Sequence, residues 1–203
     1  MSVVQNVFAF LGQLLLLAVL VSVLFGGFVH DVRKRRIVVV VLLVLGLFVP
    51  VHGLSISQWL RSALGDLSIL TWVIFANILA QRLFDFSLLQ PASRNTLLFG
   101  VILVSVVFYP MALGASLADP YYYGYAPTGM ALLLCMVSLL AWIKARRDWA
   151  IILLLPLLGF NVHLLESANL WDYLLDPVLF IYAVVQSLLS LKFLFPNMGR
   201  KLP

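Results

Sequence analysis

The chain has 203 residues, of which 64% are hydrophobic and only 10% charged, with a net charge of +5. Soluble domains keep about a quarter of their residues charged, so this composition excludes a water-soluble globular fold and makes the bilayer the solvent. The basic residues sit in short clusters between apolar runs, the pattern of a topology signal, which removes nucleic acid from the candidate partners.

The first apolar run is Val7–Val29. The stretch before it, Met1-Ser-Val-Val-Gln-Asn6, has no basic region, and no small-x-small cleavage site precedes Asp31-Val-Arg33-Lys34-Arg35-Arg36. It is expected to be a retained span rather than a signal peptide. Further runs follow at Ile37–His52, Leu67–Leu83, Thr96–Leu113, Gly129–Ile143, Trp149–Leu165 and Pro177–Phe195. A span needs about 20 apolar residues, so the second, fifth and sixth runs are short and must draw on their loops. None shows the alternation of a membrane barrel strand, and lipid-exposed backbone must bond internally. The expected fold is all-α: a polytopic membrane bundle of about seven helices forming one domain over the whole chain, plus a short amphipathic helix on the outer surface. The single cysteine, Cys135, rules out an intrachain disulfide and is read as a small packing residue.

Charge orients the bundle. With an odd number of spans, Arg33–Arg36, Arg82, Arg94, Lys144, Arg146, Arg147, Lys192, Arg200 and Lys201 share one side, and Arg61 alone is left on the other. The positive-inside rule makes the first side cytoplasmic, the N-terminus external and the C-terminus internal. Five of the eight acids then lie outside: Asp66, Asp119, Glu166, Asp172 and Asp176. The expected location is a plasma membrane, a bacterial inner membrane in particular. The cytoplasmic loops are short and the outer loops longer, so a functional site is sought on the outer face.

Counted from the inner ends of their runs, His52 and His163 stand at roughly equal height, about 21–23 Å up at 1.5 Å per residue. They are expected to face each other, as general acid or base, metal ligands or proton relay. Unrelated interfacial histidines are the competing reading. The stretch from Asn161 to Pro177 is the densest polar run. On a helical wheel Glu166, Asn169, Asp172, Tyr173 and Asp176 fall on one side and Leu164, Ala168, Trp171, Leu174 and Leu175 on the other, with Leu165 and Leu170 intruding on the polar side. This predicts the surface helix, with Trp171 toward lipid and its carboxylates toward water or the bundle mouth. Glu166, three residues after His163, is placed to share a proton or a metal with it, and Asp172 is its companion carboxylate. A divalent metal, if one is bound, would take His52, His163 and Glu166.

A second unusual stretch, Asp119-Pro-Tyr121-Tyr122-Tyr123-Gly124-Tyr125, is broken by Pro and Gly. Asp119, Tyr121, Tyr122 and Tyr123, with Asn169, are candidate substrate contacts, since flat rings stack and hydroxyls bond to sugars or lipid head groups. An aromatic belt at the membrane interface is the bland alternative. Asn77, Gln81, Asn161, Gln186, Ser187 and Ser190 are expected to join helices by hydrogen bonds, and Pro156 to bend its helix and aim Asn161 and His163 inward.

Several activities are excluded. A retinal Schiff base needs a mid-span lysine, and Lys192 lies near an inner end. There is no HExxH motif, and Gly114-Ala-Ser116-Leu-Ala118 lacks the second glycine of a nucleophile elbow. Two lone histidines are thin support for a haem. No charge at mid-span depth argues against an ion-coupled pump. Three classes stay open: a hydrolase or transferase acting on a lipid-linked or head-group substrate, a non-catalytic subunit docking another membrane protein, and a small permease.

Overall fold

Each apolar run becomes a helix in the structure, a computed structural model that describes residues 2–25, 31–48 and 50–194, the side chains of 47–48 and 191–194 excepted. The helices are α1 (Val3–Phe25), α2 (Val32–Phe48), α3 (Ile56–Leu64), α4 (Ile69–Phe84), α5 (Pro91–Pro110), α6 (Thr128–Ile143), α7 (Arg147–Asn161), α8 (Trp171–Leu174) and α9 (Pro177–Leu194). The described residues hold no strand and are 78% helical. Among the described residues three stretches are long and apolar enough to cross a membrane: Val3–Phe25, Pro91–Ala115 and Trp171–Ser190. Ile69–Phe84 and Thr128–Ile143 are shorter apolar helices. The residues expected to end the first span, with Phe195, Arg200 and Lys201, lie outside the described set.

Local chemistry sets the boundaries. Ser55 and Gln58 form a reciprocal capping box at the start of α3, and Ser68 caps α4. Pro91 and Pro177 open α5 and α9, where a missing N–H costs nothing. At the end of α7 the His163 N–H reaches the Phe160 carbonyl (3.0 Å) and the Leu164 N–H the Gly159 carbonyl (3.0 Å). This is a Schellman cap with His163 in the left-handed position, φ 51°.

α1 packs on α2, α3 and α4; α5 packs on α9; α6 packs on α7, which also meets α4. The core is mainly apolar, but large apolar side chains also cover the outside. Gln13, Asn77, Ser105 and Asn169 are buried, while Phe99, Leu103, Val106 and Val107 on α5 and Leu132 and Leu139 on α6 are exposed. So large an apolar surface fits a hydrocarbon solvent.

The ends of the bundle differ in charge. At one end the Arg35 and Arg36 guanidiniums donate to the Arg82 and Leu83 carbonyls (3.1 and 2.5 Å) at the close of α4. Cations are favoured at such C-terminal carbonyls. Arg82 reaches the Ser22 carbonyl (3.0 Å) and Arg146 the Ser93 hydroxyl (3.3 Å) at the same end. The opposite end gathers Arg61, Asp66, Glu166, Asp172 and Asp176.

Several expectations are corrected. The surface helix over 166–176 shrinks to the single turn α8. Asn169, Tyr173 and Asp176 turn inward because Tyr121, Leu165 and the starts of α4 and α9 supply their partners, whereas Glu166 stays exposed. The amphipathic surface helix is α3, whose Ile56, Trp59 and Leu64 are exposed. Cys135 is exposed rather than packed. Pro156 lies inside α7, yet Asn161 and His163 beyond it are exposed. Asn161 bonds back to the Leu157 carbonyl (2.8 Å), and Ser190 to that of Gln186 (2.8 Å), so both serve their own helices. Asn77 instead holds the loop after α4, accepting from the Leu88 and Leu89 N–H groups (2.9 and 3.0 Å).

Candidate functional site

A cavity of about 930 Å³ opens at the acidic end. α3 supplies Arg61, the short link to α4 supplies Asp66, and the end of α5 supplies Phe108 and Tyr109. Tyr121 and the stretch from Leu165 to Pro177 complete the wall.

Three polar groupings build it. In the first, Arg61 pairs with Asp66 at 3.0 Å and with Glu166 at 3.8 Å. Asp66 is largely covered, whereas the Glu166 side chain is 63% exposed. In the second, Asp172 accepts from the Tyr121 hydroxyl (2.9 Å) and the Ser167 hydroxyl (2.5 Å). Burial pushes the Tyr121 phenol well above its usual value, and the Asp172 carboxylate adds to the shift because a neighbouring anion opposes ionisation. In the third, buried Asp176 bridges two helix N-termini. One oxygen accepts from the Leu179 N–H of α9 (2.8 Å). The other accepts from the Ser68 N–H of α4 (2.8 Å) and from the Thr71 hydroxyl. A carboxylate there meets the positive ends of both helix dipoles. Nearby, the Tyr109 hydroxyl is buried on the cavity wall with no hydrogen-bond partner among the described residues.

The tyrosine loop docks against this wall. Asp119 accepts from the Tyr121 N–H (2.9 Å) and starts a 3-10 turn over Tyr121–Gly124. Asn169 donates to the Tyr121 carbonyl (2.9 Å) and accepts from the Trp171 N–H (2.9 Å). Trp171 donates to the Pro120 carbonyl (2.9 Å) and packs on Phe108, with ring centroids 4.5 Å apart.

Of the residues singled out in the sequence, Glu166, Asp172 and Tyr121 come together on the cavity wall. Tyr122 and Tyr123 point outward and are exposed, and Asn169 is spent on the loop. His52 and His163 do not line the cavity. Both are exposed turn residues with positive φ, 50° and 51°. His52 and Gly53 form the two central positions of a tight turn closed by Val51 and Leu54, a geometry that needs φ above zero at both. Histidine tolerates that region better than most residues. Among the described residues no cluster of three or more His, Cys, Asp or Glu could hold a metal ion. Sequence reasoning had not singled out Arg61, Asp66 and Tyr109 as cavity residues, because only the tertiary fold brings α3 and α5 to one wall. Comparison with known protein families, with curated proteins and with solved structures finds no match.

Proposed function

We propose that the chain is a multi-pass membrane protein whose cavity receives the polar head of a membrane amphiphile. In this reading seven helices span the bilayer, the basic end is cytoplasmic and the cavity end is external. The sorting of charge between the two ends supports the orientation.

The observation that carries the functional reading is the cavity itself, about 930 Å³ and lined by both carboxylates and the aromatic rings of Phe108, Tyr109, Tyr121 and Trp171; the proposed orientation would set it at head-group level. Its lining holds four carboxylates, Asp66, Glu166, Asp172 and Asp176, against the single guanidinium of Arg61. That balance favours an amine-bearing head over an anionic one. Asp172 and Asp176 are committed to internal hydrogen bonds, so Glu166 is the carboxylate with most freedom to meet the amine. The unpartnered Tyr109 hydroxyl offers a neutral contact.

A second reading, hydrolysis or group transfer at the same head group, is favoured by the same residue. Glu166 is the exposed carboxylate of the cavity wall and would be its acid/base candidate. His163 would then act from outside the cavity.

The test is lipid retention. Protein purified in mild detergent is offered equal amounts of phosphatidylethanolamine and phosphatidylglycerol with matched chains, and bound lipid is read by native mass spectrometry. Phosphatidylethanolamine should be preferred, and Glu166→Gln should cut the preference roughly two- to fivefold, the range of a half-exposed ion pair. Equal or greater retention of phosphatidylglycerol, or a preference indifferent to Glu166→Gln, would overturn the reading.

A further inference from the structure

We infer that one acyl chain of this amphiphile lies in an apolar crevice between α5 and α6, with Gly100 as its floor; this rests on the reading that the head occupies the cavity. The crevice measures about 260 Å³. Its walls come from four long helices, through Leu70, Leu97, Val104, Leu133 and Trp149 among others. It adjoins the polar cavity, because Trp171 and Leu175 line both. The cavity side of that wall carries the polar residues and the crevice side is apolar, so in the proposed orientation the first meets the membrane surface and the second the hydrocarbon. An amphiphile has this polarity and few other ligands do.

The packing explains why the crevice exists. α5 is drawn to α9 and α6 to α7, which leaves the seam between α5 and α6 unfilled. Gly100 deepens it, since a Cβ built there meets no atom within 4 Å. Val104 and Leu133 on the rim are exposed, so the seam is reached sideways from lipid.

Size selects the occupant. From Leu97 to Val104 the crevice follows α5 for about 10 Å. A helix of a partner or of a second copy, about 10 Å across, would fill roughly 800 Å³ over that length, several times the space present. A single hydrocarbon chain is slim enough.

The experiment uses the full chain in nanodiscs doped with phosphatidylethanolamine carrying a diazirine at the end of one acyl chain. After irradiation, adducts are mapped by peptide mass spectrometry. Adducts should concentrate on residues 97–104 and 130–134. Gly100→Leu fills the floor and should lower them about tenfold, comparable to losing the burial of two methylenes. Gly100→Ala, a smaller filler, should give a partial loss and covers the case where the leucine variant fails to fold. Labelling spread evenly over the outward faces, including Phe99 and Leu139, and unchanged in both variants would overturn the crevice, while the head-group reading would still be judged by Glu166→Gln in the retention assay. Crevice labelling that competes equally with phosphatidylglycerol would instead defeat the link between chain and cavity.

Discussion

Gly124 is where the tyrosine loop is fastened, and replacing it tests the wall of the site. A Cβ at this position would lie 1.7 Å from Asn169 Oδ1, 2.6 Å from its Cγ and 2.8 Å from Trp171 Cδ1. Asn169 cannot simply rotate away, because it holds the Tyr121 carbonyl and the Trp171 N–H. Moving it forfeits two hydrogen bonds, about 1 kcal/mol each, on top of an overpacking cost of about 1–3 kcal/mol. Gly124→Ala should therefore destabilise by about 3–5 kcal/mol. Asn169→Ala alone should cost about 2 kcal/mol for the same two bonds. In that background the Oδ1 clash is gone and only the Trp171 contact remains, so adding Gly124→Ala should cost about 1 kcal/mol. Reversible unfolding in mixed micelles of the four proteins gives the cycle. A cost below about 1 kcal/mol for Gly124→Ala, or the same cost in both backgrounds, would refute the account of how the loop is held.

Asp176→Ala removes the acceptor shared by the starts of α4 and α9 and should cost about 3 kcal/mol in the same assay; a change under about 1 kcal/mol would deny it the bridging role. His163→Gly places the residue best suited to the left-handed cap at the end of α7, so stability should hold or rise by about 1 kcal/mol with lipid preference unchanged. Lost preference in that variant would bring His163 into the site and favour the catalytic reading.

The helices were legible in the sequence because hydrocarbon is an unforgiving solvent: an apolar run long enough to enter it has no other structure open to it. The surface helix was not placed so well. A wheel over 166–176 separated polar from apolar positions, but the polar ones had partners on other elements, such as Tyr121 and Ser68, that a wheel cannot see. The better signal stood earlier in the chain, where Ser55 precedes Gln58 by the three residues of a capping box. Helix counting gave His52 and His163 similar heights, yet both lie just past helix ends, where backbone sterics decide their conformation. Pro177 announced the start of α9; that Asp176 caps both α9 and α4, more than a hundred residues away in sequence, follows only from packing.

The central claim is a bundle crossing the membrane with its acidic, cavity-bearing end outside, and sidedness of labelling tests it most directly. With Cys135 replaced by alanine, single cysteines are introduced at Leu117, fully exposed in the loop after α5, and at Gln90, exposed before α5 at the basic end. A membrane-impermeant maleimide added to intact cells or right-side-out vesicles should modify Leu117→Cys, and should reach Gln90→Cys only after the membrane is opened. Labelling of Gln90→Cys from outside, with Leu117→Cys protected, would contradict the account.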